Sequence, residues 1–209
     1  MSPKTAERVT IDGPAGLLEV VRNVPDGAPV GIALVAHPHP LQGGTLDNKV
    51  VQTLARTFFA LGYVAIRFNF RGVGASTGAF DDGNGETGDA LAVLADAQQR
   101  WGTKLPVVLA GFSFGAFVQT RVAKAVAAQR LVLIGPAVGR FALESVPADT
   151  IVIHGEQDDV VPLADVFAWA RPQELSIIVF PGCGHFFHGR LPQVQRVITG
   201  MWQRDDVGA

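Results

Sequence analysis

Short β-branched apolar runs alternate along this chain with longer stretches of helical period, and this alternation constrains the fold more than any other feature. Residues 30–36 read as a buried strand that ends at His37-Pro38-His39-Pro40. Residues 48–61 follow with apolar positions three and four apart, and Gly62 stops them. Residues 63–70 return to strand character, alternating over Ile66, Phe68 and Phe70. The pattern then repeats: a helix over 86–101 stopped by Gly102, a strand over 107–110, a helix over 114–128, strands over 131–134, 151–153 and 177–180, and a last helix over 191–203 with a tail expected to fray. Strands of this kind separated by helices imply an α/β fold, with a mostly parallel sheet and helices on both faces. Residues 8–11 and 17–22, on either side of the turn signal Asp12-Gly13-Pro14, predict an N-terminal antiparallel hairpin.

No linker, repeat or low-complexity stretch divides the chain, so residues 1–209 read as a single domain. With 17 basic and 19 acidic residues the net charge is −2, which offers no electrostatic footprint for nucleic acid or an anionic membrane. The single cysteine, Cys183, rules out an internal disulfide and fits a reducing compartment. The first ten residues lack the apolar core of a signal peptide, and the apolar runs are too short to span a bilayer. The expectation is a cytoplasmic protein with neither a nucleic-acid nor a membrane partner.

Gly111-Phe112-Ser113-Phe114-Gly115 fits G-x-S-x-G, the spacing that sets a reactive serine on a sharp turn between strand and helix. Gly74-Ala75-Ser76-Thr77-Gly78 fits it as well. Context separates them. Ser113 follows a strand directly and opens a helix, whose N-terminus aims free N–H groups at the reaction centre. Ser76 lies beyond the end of its strand, in a glycine-rich loop, and no helix follows at once.

A serine hydroxyl needs a base, and the base needs an orienting acid. Behind such an elbow the acid and then the histidine follow in chain order. His185 follows Phe180-Pro181-Gly182-Cys183-Gly184, in the loop directly after a strand, at the end of the sheet where ligands gather, and is preferred to His188. The acid belongs after the preceding strand, where Glu156, Asp158 and Asp159 are available. Glu156 sits in the tight turn itself. Sequence geometry does not separate Asp158 from Asp159.

Taken with Gly111-Phe112-Ser113-Phe114-Gly115, the segments His154-Gly155-x-x-Asp158-x-x-Val161-Pro162 and Gly184-His185 resemble the α/β-hydrolase superfamily. The resemblance covers nearly the whole chain. Further stretches, His37-Pro38-His39-Pro40, Arg71-Gly72-Val73-Gly74-x-Ser76 and Gly184-His185-Phe186-Phe187-His188-Gly189, are similar to a group of small bacterial serine hydrolases within it. It implies a Ser113, Asp158, His185 triad, with Asp158 as the acid. One departure is His37-Pro38, where the superfamily usually has His-Gly.

Acyl transfer also requires N–H donors for the developing oxyanion. Phe114, the residue after the nucleophile, should supply one. Pro38 and Pro40 have no N–H, which leaves His39 or Leu41 for the other; the resemblance implies His39, through its backbone. The imidazoles of His37 and His39 read as loop-fixing groups, since no acidic or thiol ligand accompanies them as a metal site would require.

Several motifs read as decoys. Gly83-Asn84-Gly85-Glu86-Thr87-Gly88 matches a dinucleotide fingerprint but does not follow a strand directly. Cys183 lies on no elbow. Arg67, Asn69 and Arg71 suit ion pairs with Asp82 or Asp89 that hold loops, rather than a substrate carboxylate. Many superfamily members insert a lid where this chain has only residues 135–150, so an open, lidless site is expected. Phe112, Phe114, Phe186 and Phe187 are candidates for its apolar wall. The combined expectation is hydrolysis of small carboxylic esters through an acyl-enzyme, with a small-molecule acyl substrate and no cofactor or metal. Thioesterase or peptidase chemistry, or a non-catalytic binding role, are the alternatives.

Overall fold

The computed structural model describes residues 6–205, and the tail expected to fray lies largely outside them. An eight-stranded sheet runs in the order β1-β2-β4-β3-β5-β6-β7-β8. Strands β1 (Glu7–Gly13) and β2 (Gly16–Asn23) form the expected antiparallel hairpin, and β2 continues antiparallel onto β4 (Tyr63–Phe68). From β4 outward, β3 (Gly31–Ala36), β5 (Val107–Phe112), β6 (Arg130–Ile134), β7 (Ile151–Gly155) and β8 (Ile177–Phe180) are all parallel.

The two-residue period of the strands sorts the core into two layers. Ile32, Leu34, Val64, Ile66 and Leu109 face α2 (Asn84–Trp101) and α3 (Phe114–Ala125). Ala33, Val35, Ala65, Val108 and Ala110 face α1 (Lys49–Ala60) and α5 (Leu191–Asp205). A sheet apolar on both faces therefore carries helices on both. Helix α1 is capped by Asn48, whose side chain accepts from the Val50 and Val51 N–H groups.

Several boundaries differ from the sequence expectation. Strand β4 ends at Phe68 rather than at residue 70: the Asn69 N–H still donates to the Glu19 carbonyl of β2, but the Phe70 N–H leaves the sheet for the His37 ring. Helix α2 begins at Asn84, two residues early. The Glu86 carboxylate, fully buried, accepts from the N–H groups of Asp81 and Gly83 and so supports the first turn. Helix α3 stops at Ala125 because Val126 is extended and Gln129 is drawn onto Val107 of β5. Helix α4 (Leu163–Ala170), absent from the sequence reading, follows Pro162 and packs Val166 against Val152 and Val161. No cap interrupts residues 135–150, where an isolated bridge joins Val138 and Phe141.

Candidate active site

The residues singled out by motif follow the carboxyl ends of the parallel strands: His39 after β3, Ser113 after β5, Asp158 after β7 and His185 after β8. Ser113 has φ 56° and ψ −116°, a conformation that costs a non-glycine residue about 1–3 kcal/mol and persists only where its surroundings enforce it. The enforcing contacts are on both sides. The Ser113 N–H donates to the Ile134 carbonyl of β6 at 2.9 Å. A Cβ at Gly111 would lie 2.4 Å from the Gly115 carbonyl oxygen, and one at Gly115 would lie 2.4 Å from the Ala36 carbonyl oxygen. The two glycines thus let the turn fold back on itself and seat against β3. The Ser113 side chain caps none of the N–H groups of α3, and among the described residues its hydroxyl has no hydrogen-bond partner.

Asp158 and His185 form a tight pair, with the His185 Nδ1–H donating to Asp158 Oδ2 at 2.6 Å. The other carboxylate oxygen, Oδ1, accepts from the Val160 and Val161 N–H groups at 2.9 and 2.7 Å. Burial works against ionisation of Asp158. The hydrogen bonds from His185 and Val161, and the fields of His185 and His154, outweigh it and hold the carboxyl below its usual range. Asp159 makes no such contact with His185, so the geometry separates the adjacent carboxylates. The His185 ring lies against Phe112 at 4.9 Å between centroids. Among the described residues no hydrogen bond joins the Ser113 hydroxyl to His185; in free enzymes such bonds are often long and tighten around substrate.

His154, in β7 and four residues before Asp158, was not singled out by the sequence reading. It is fully buried, donates through Nε2 to the Val161 carbonyl at 2.9 Å, and stands 3.4 Å from Asp158 Oδ2. Burial lowers its pKa, and its hydrogen bond to the Val161 carbonyl ties the acid loop back to β7.

The His-Pro-His-Pro loop is held by its first histidine. His37 donates from Nδ1 to the Pro38 carbonyl at 2.6 Å and accepts at Nε2 from the Phe70 N–H at 3.0 Å. Both ring nitrogens are used, and burial pushes the pKa down to about 4, so the ring is neutral and unavailable to a metal. The His39 ring packs on Phe80, Phe114 and Phe141, and its Nδ1 accepts from the Leu41 N–H. Among the described residues the backbone N–H groups of His39 and Phe114 have no acceptor. A cavity of about 220 Å³ opens beside them, lined by His39, Gln42, Ser113, Phe114, Ala137, Arg140, Phe141 and Val160. Gln42, Arg140 and Phe141 went unnoticed in the sequence because no motif surrounds them.

Of the proposed apolar wall, Phe112 and Phe187 are core, Phe114 is buried but lines the cavity, and Phe186 is exposed beside His185. His188 lies in a different cleft with Asn48, Lys49 and Phe186. Ser76 is a buried strut: its hydroxyl donates to the Asn69 carbonyl and accepts from the Glu19 N–H. Arg71 grips Asp89 in a two-pronged ion pair, whereas Arg67 pairs with Asp47, not with Asp82 or Asp89. Asn69 is occupied by Glu19 and the Leu46 N–H. Cys183 is buried and burial raises its thiol pKa, which leaves it inert. Among the described residues no helix is long and apolar enough to cross a membrane.

Known proteins share this arrangement of elements over nearly the full chain. An α/β serine hydrolase without lid from Xanthomonas campestris is 36% identical, with a TM-score of 0.89 over 98% of this chain and 96% of its own. An α/β serine hydrolase homologue from Coxiella burnetii is 38% identical, with a TM-score of 0.82 over 94% of this chain and 97% of its own. An uncharacterized protein of Rickettsia prowazekii is 35% identical, over 92% of this chain and 87% of its own. Residues 12–145, more than half of the chain and including the elbow at Ser113, match the family described as X-Pro dipeptidyl-peptidase (S15 family). On that match, with a lidless α/β-hydrolase fold around it, the chain belongs to the S15 family of hydrolases.

Proposed function

We propose that the protein hydrolyses small carboxylic esters, with Ser113 as nucleophile, His185 as base and then acid, and Asp158 as the group that orients His185. The observation that carries this reading is the pairing of His185 with an ionised, doubly anchored Asp158 at the same carboxyl edge of the sheet as a strained Ser113. Ser113 Oγ attacks the ester carbonyl carbon as His185 Nε2 takes its proton. The oxyanion is received by the N–H groups of His39 and Phe114. Collapse breaks the acyl C–O bond, and His185 returns the proton to the departing alkoxide, giving an alcohol and an acyl-enzyme. Water then attacks the acyl carbon, losing a proton to His185, and the carboxylic acid leaves as Ser113 regains its proton. The substrate is a small cytoplasmic acyl compound.

The family match favours amide hydrolysis as a second reading. A dipeptidyl-peptidase must also hold the substrate's N-terminal ammonium, yet the cavity beside Ser113 is lined by a cation, Arg140, and by no carboxylate. That charge supports the ester reading. p-Nitrophenyl acetate and butyrate should be turned over faster than Gly-Pro-p-nitroanilide, and Ser113→Ala should reduce ester turnover by on the order of 10⁶. Faster anilide cleavage would transfer the assignment to the peptidase reading. Undiminished ester turnover by Ser113→Ala would remove Ser113 from the mechanism.

A further inference from the structure

Arg140 stands in the segment that replaces a lid, and its position is fixed from both ends. The segment turns tightly there, with the Arg140 and Phe141 N–H groups both donating to the Ala137 carbonyl. Phe141 pins the turn from below, stacked on Phe117 at 4.8 Å and edge-on to Phe114 at 5.1 Å. The guanidinium is anchored on one side only: Nε donates to the Val160 carbonyl at 3.0 Å, in the loop just after Asp158. Among the described residues no carboxylate pairs with it. An arginine aligned through Nε presents its two terminal NH2 groups together, the geometry that grips a carboxylate. Elsewhere in this chain Arg71 grips Asp89 by the other edge of its guanidinium, through Nε and one terminal NH2, so a two-pronged arginine–carboxylate pair has a precedent in the same fold.

The cavity that Arg140 borders also contains Ser113 and the two free N–H groups. The leaving group must sit beside His185, which protonates it, and His185 does not line this cavity. The cavity therefore lies on the acyl side of the serine. Its floor is apolar, from Phe114, Ala137, Phe141 and Val160, and its volume of about 220 Å³ is below the range typical of drug-sized ligands. A short methylene chain suits the floor, and an anionic end suits the rim.

We propose that the acyl group taken by this pocket is that of a short dicarboxylic acid, esterified at one end, with its free carboxylate clamped by Arg140. The proposal rests on the ester reading for its chemistry and on the pocket for its specificity. The test compares monoethyl succinate, glutarate and adipate with the neutral ethyl esters of the same chain length, following ethanol release. The wild-type protein should prefer at least one half-ester by tenfold or more in kcat/KM. Arg140→Gln should lower that ratio by about 10- to 100-fold, the worth of a charged hydrogen bond, and Arg140→Lys should restore part of it. A wild-type ratio near one, or a ratio unchanged in Arg140→Gln, overturns the proposal. If no ester is hydrolysed the ester reading fails on its own account, and calorimetric titration with free glutarate then decides the pocket. Binding to the wild type that is lost in Arg140→Gln sustains the anion site, and binding that is absent or indifferent to Arg140 overturns it.

Discussion

Ser113 and Ser76 share one five-residue pattern, and what separates them is where each hydroxyl goes. The Ser76 oxygen is spent on two backbone partners, at 2.7 Å to the Asn69 carbonyl and 2.9 Å from the Glu19 N–H, and ties the loop after β4 to β2. Removing it strands two buried backbone groups. Ser76→Ala should therefore lower the unfolding free energy by about 1–3 kcal/mol in urea titrations while ester turnover persists. An unchanged urea midpoint would contradict the strut. Ser113 is the converse case, a side chain that supports nothing and is itself held in a costly backbone conformation. The pattern alone could not tell the two apart; the strand before Ser113 and the helix after it could. Asp158 and Asp159 illustrate the opposite limit. Adjacent side chains diverge and spacing alone leaves both open; the folded loop, with Val160 and Val161 turned back on Oδ1, brings to His185 the residue that the family resemblance implied, Asp158.

At the scale of elements, the elbow is a three-way junction of β3, β5 and α3, made possible by Gly111 and Gly115. Gly115→Ala would place a Cβ 2.4 Å from the Ala36 carbonyl oxygen and 2.6 Å from that of His37, so α3 must move off β3. The cost expected from forced overpacking is about 1–3 kcal/mol, with a parallel loss of turnover because the His39 and Phe114 donors shift apart. Thermal melting and ester kinetics on the same sample check both; a variant that melts and turns over like the wild type would contradict the junction. The sequence makes the major elements legible because central strands such as β3 and β5 are apolar on both faces and each long helix has its own stripe. Helix α4 escaped because it is short and only Val166 and Ala170 among its residues are buried. The early start of α2 escaped because it depends on Glu86 folding back onto Asp81 and Gly83, an interaction its neighbours in sequence do not announce. Arg140 and Phe141 escaped for a related reason: their meaning comes from Val160, Phe114 and Phe117, brought to them only by the fold.

For the molecule as a whole, buried histidines set the acid side of its stability. His37 keeps a pKa of about 4 when folded against 6.5 when free, so between those values the unfolded chain binds a proton that the native one refuses. Stability must then fall as pH drops from about 6.5 towards 4, by on the order of 3 kcal/mol from this residue. His154, lowered by its burial, acts in the same direction. Asp158, whose depressed carboxyl stabilises fully above its unfolded pKa of about 3.9, adds a loss as pH falls below it. Urea unfolding at pH 7 and 4.5 should show the fall, and His37→Gln should flatten it; an equal slope in the variant would contradict the assignment. All these parts, the neutral His37 under the loop, the anchored Asp158 and the strained turn, gather around the Ser113 oxygen that the proposed mechanism makes the nucleophile. The most direct test of that convergence is to treat the protein with a serine-reactive fluorophosphonate and map the adduct by peptide mass spectrometry. The account predicts one modified peptide, labelled at Ser113, and a label at Ser76 or any other serine would contradict it.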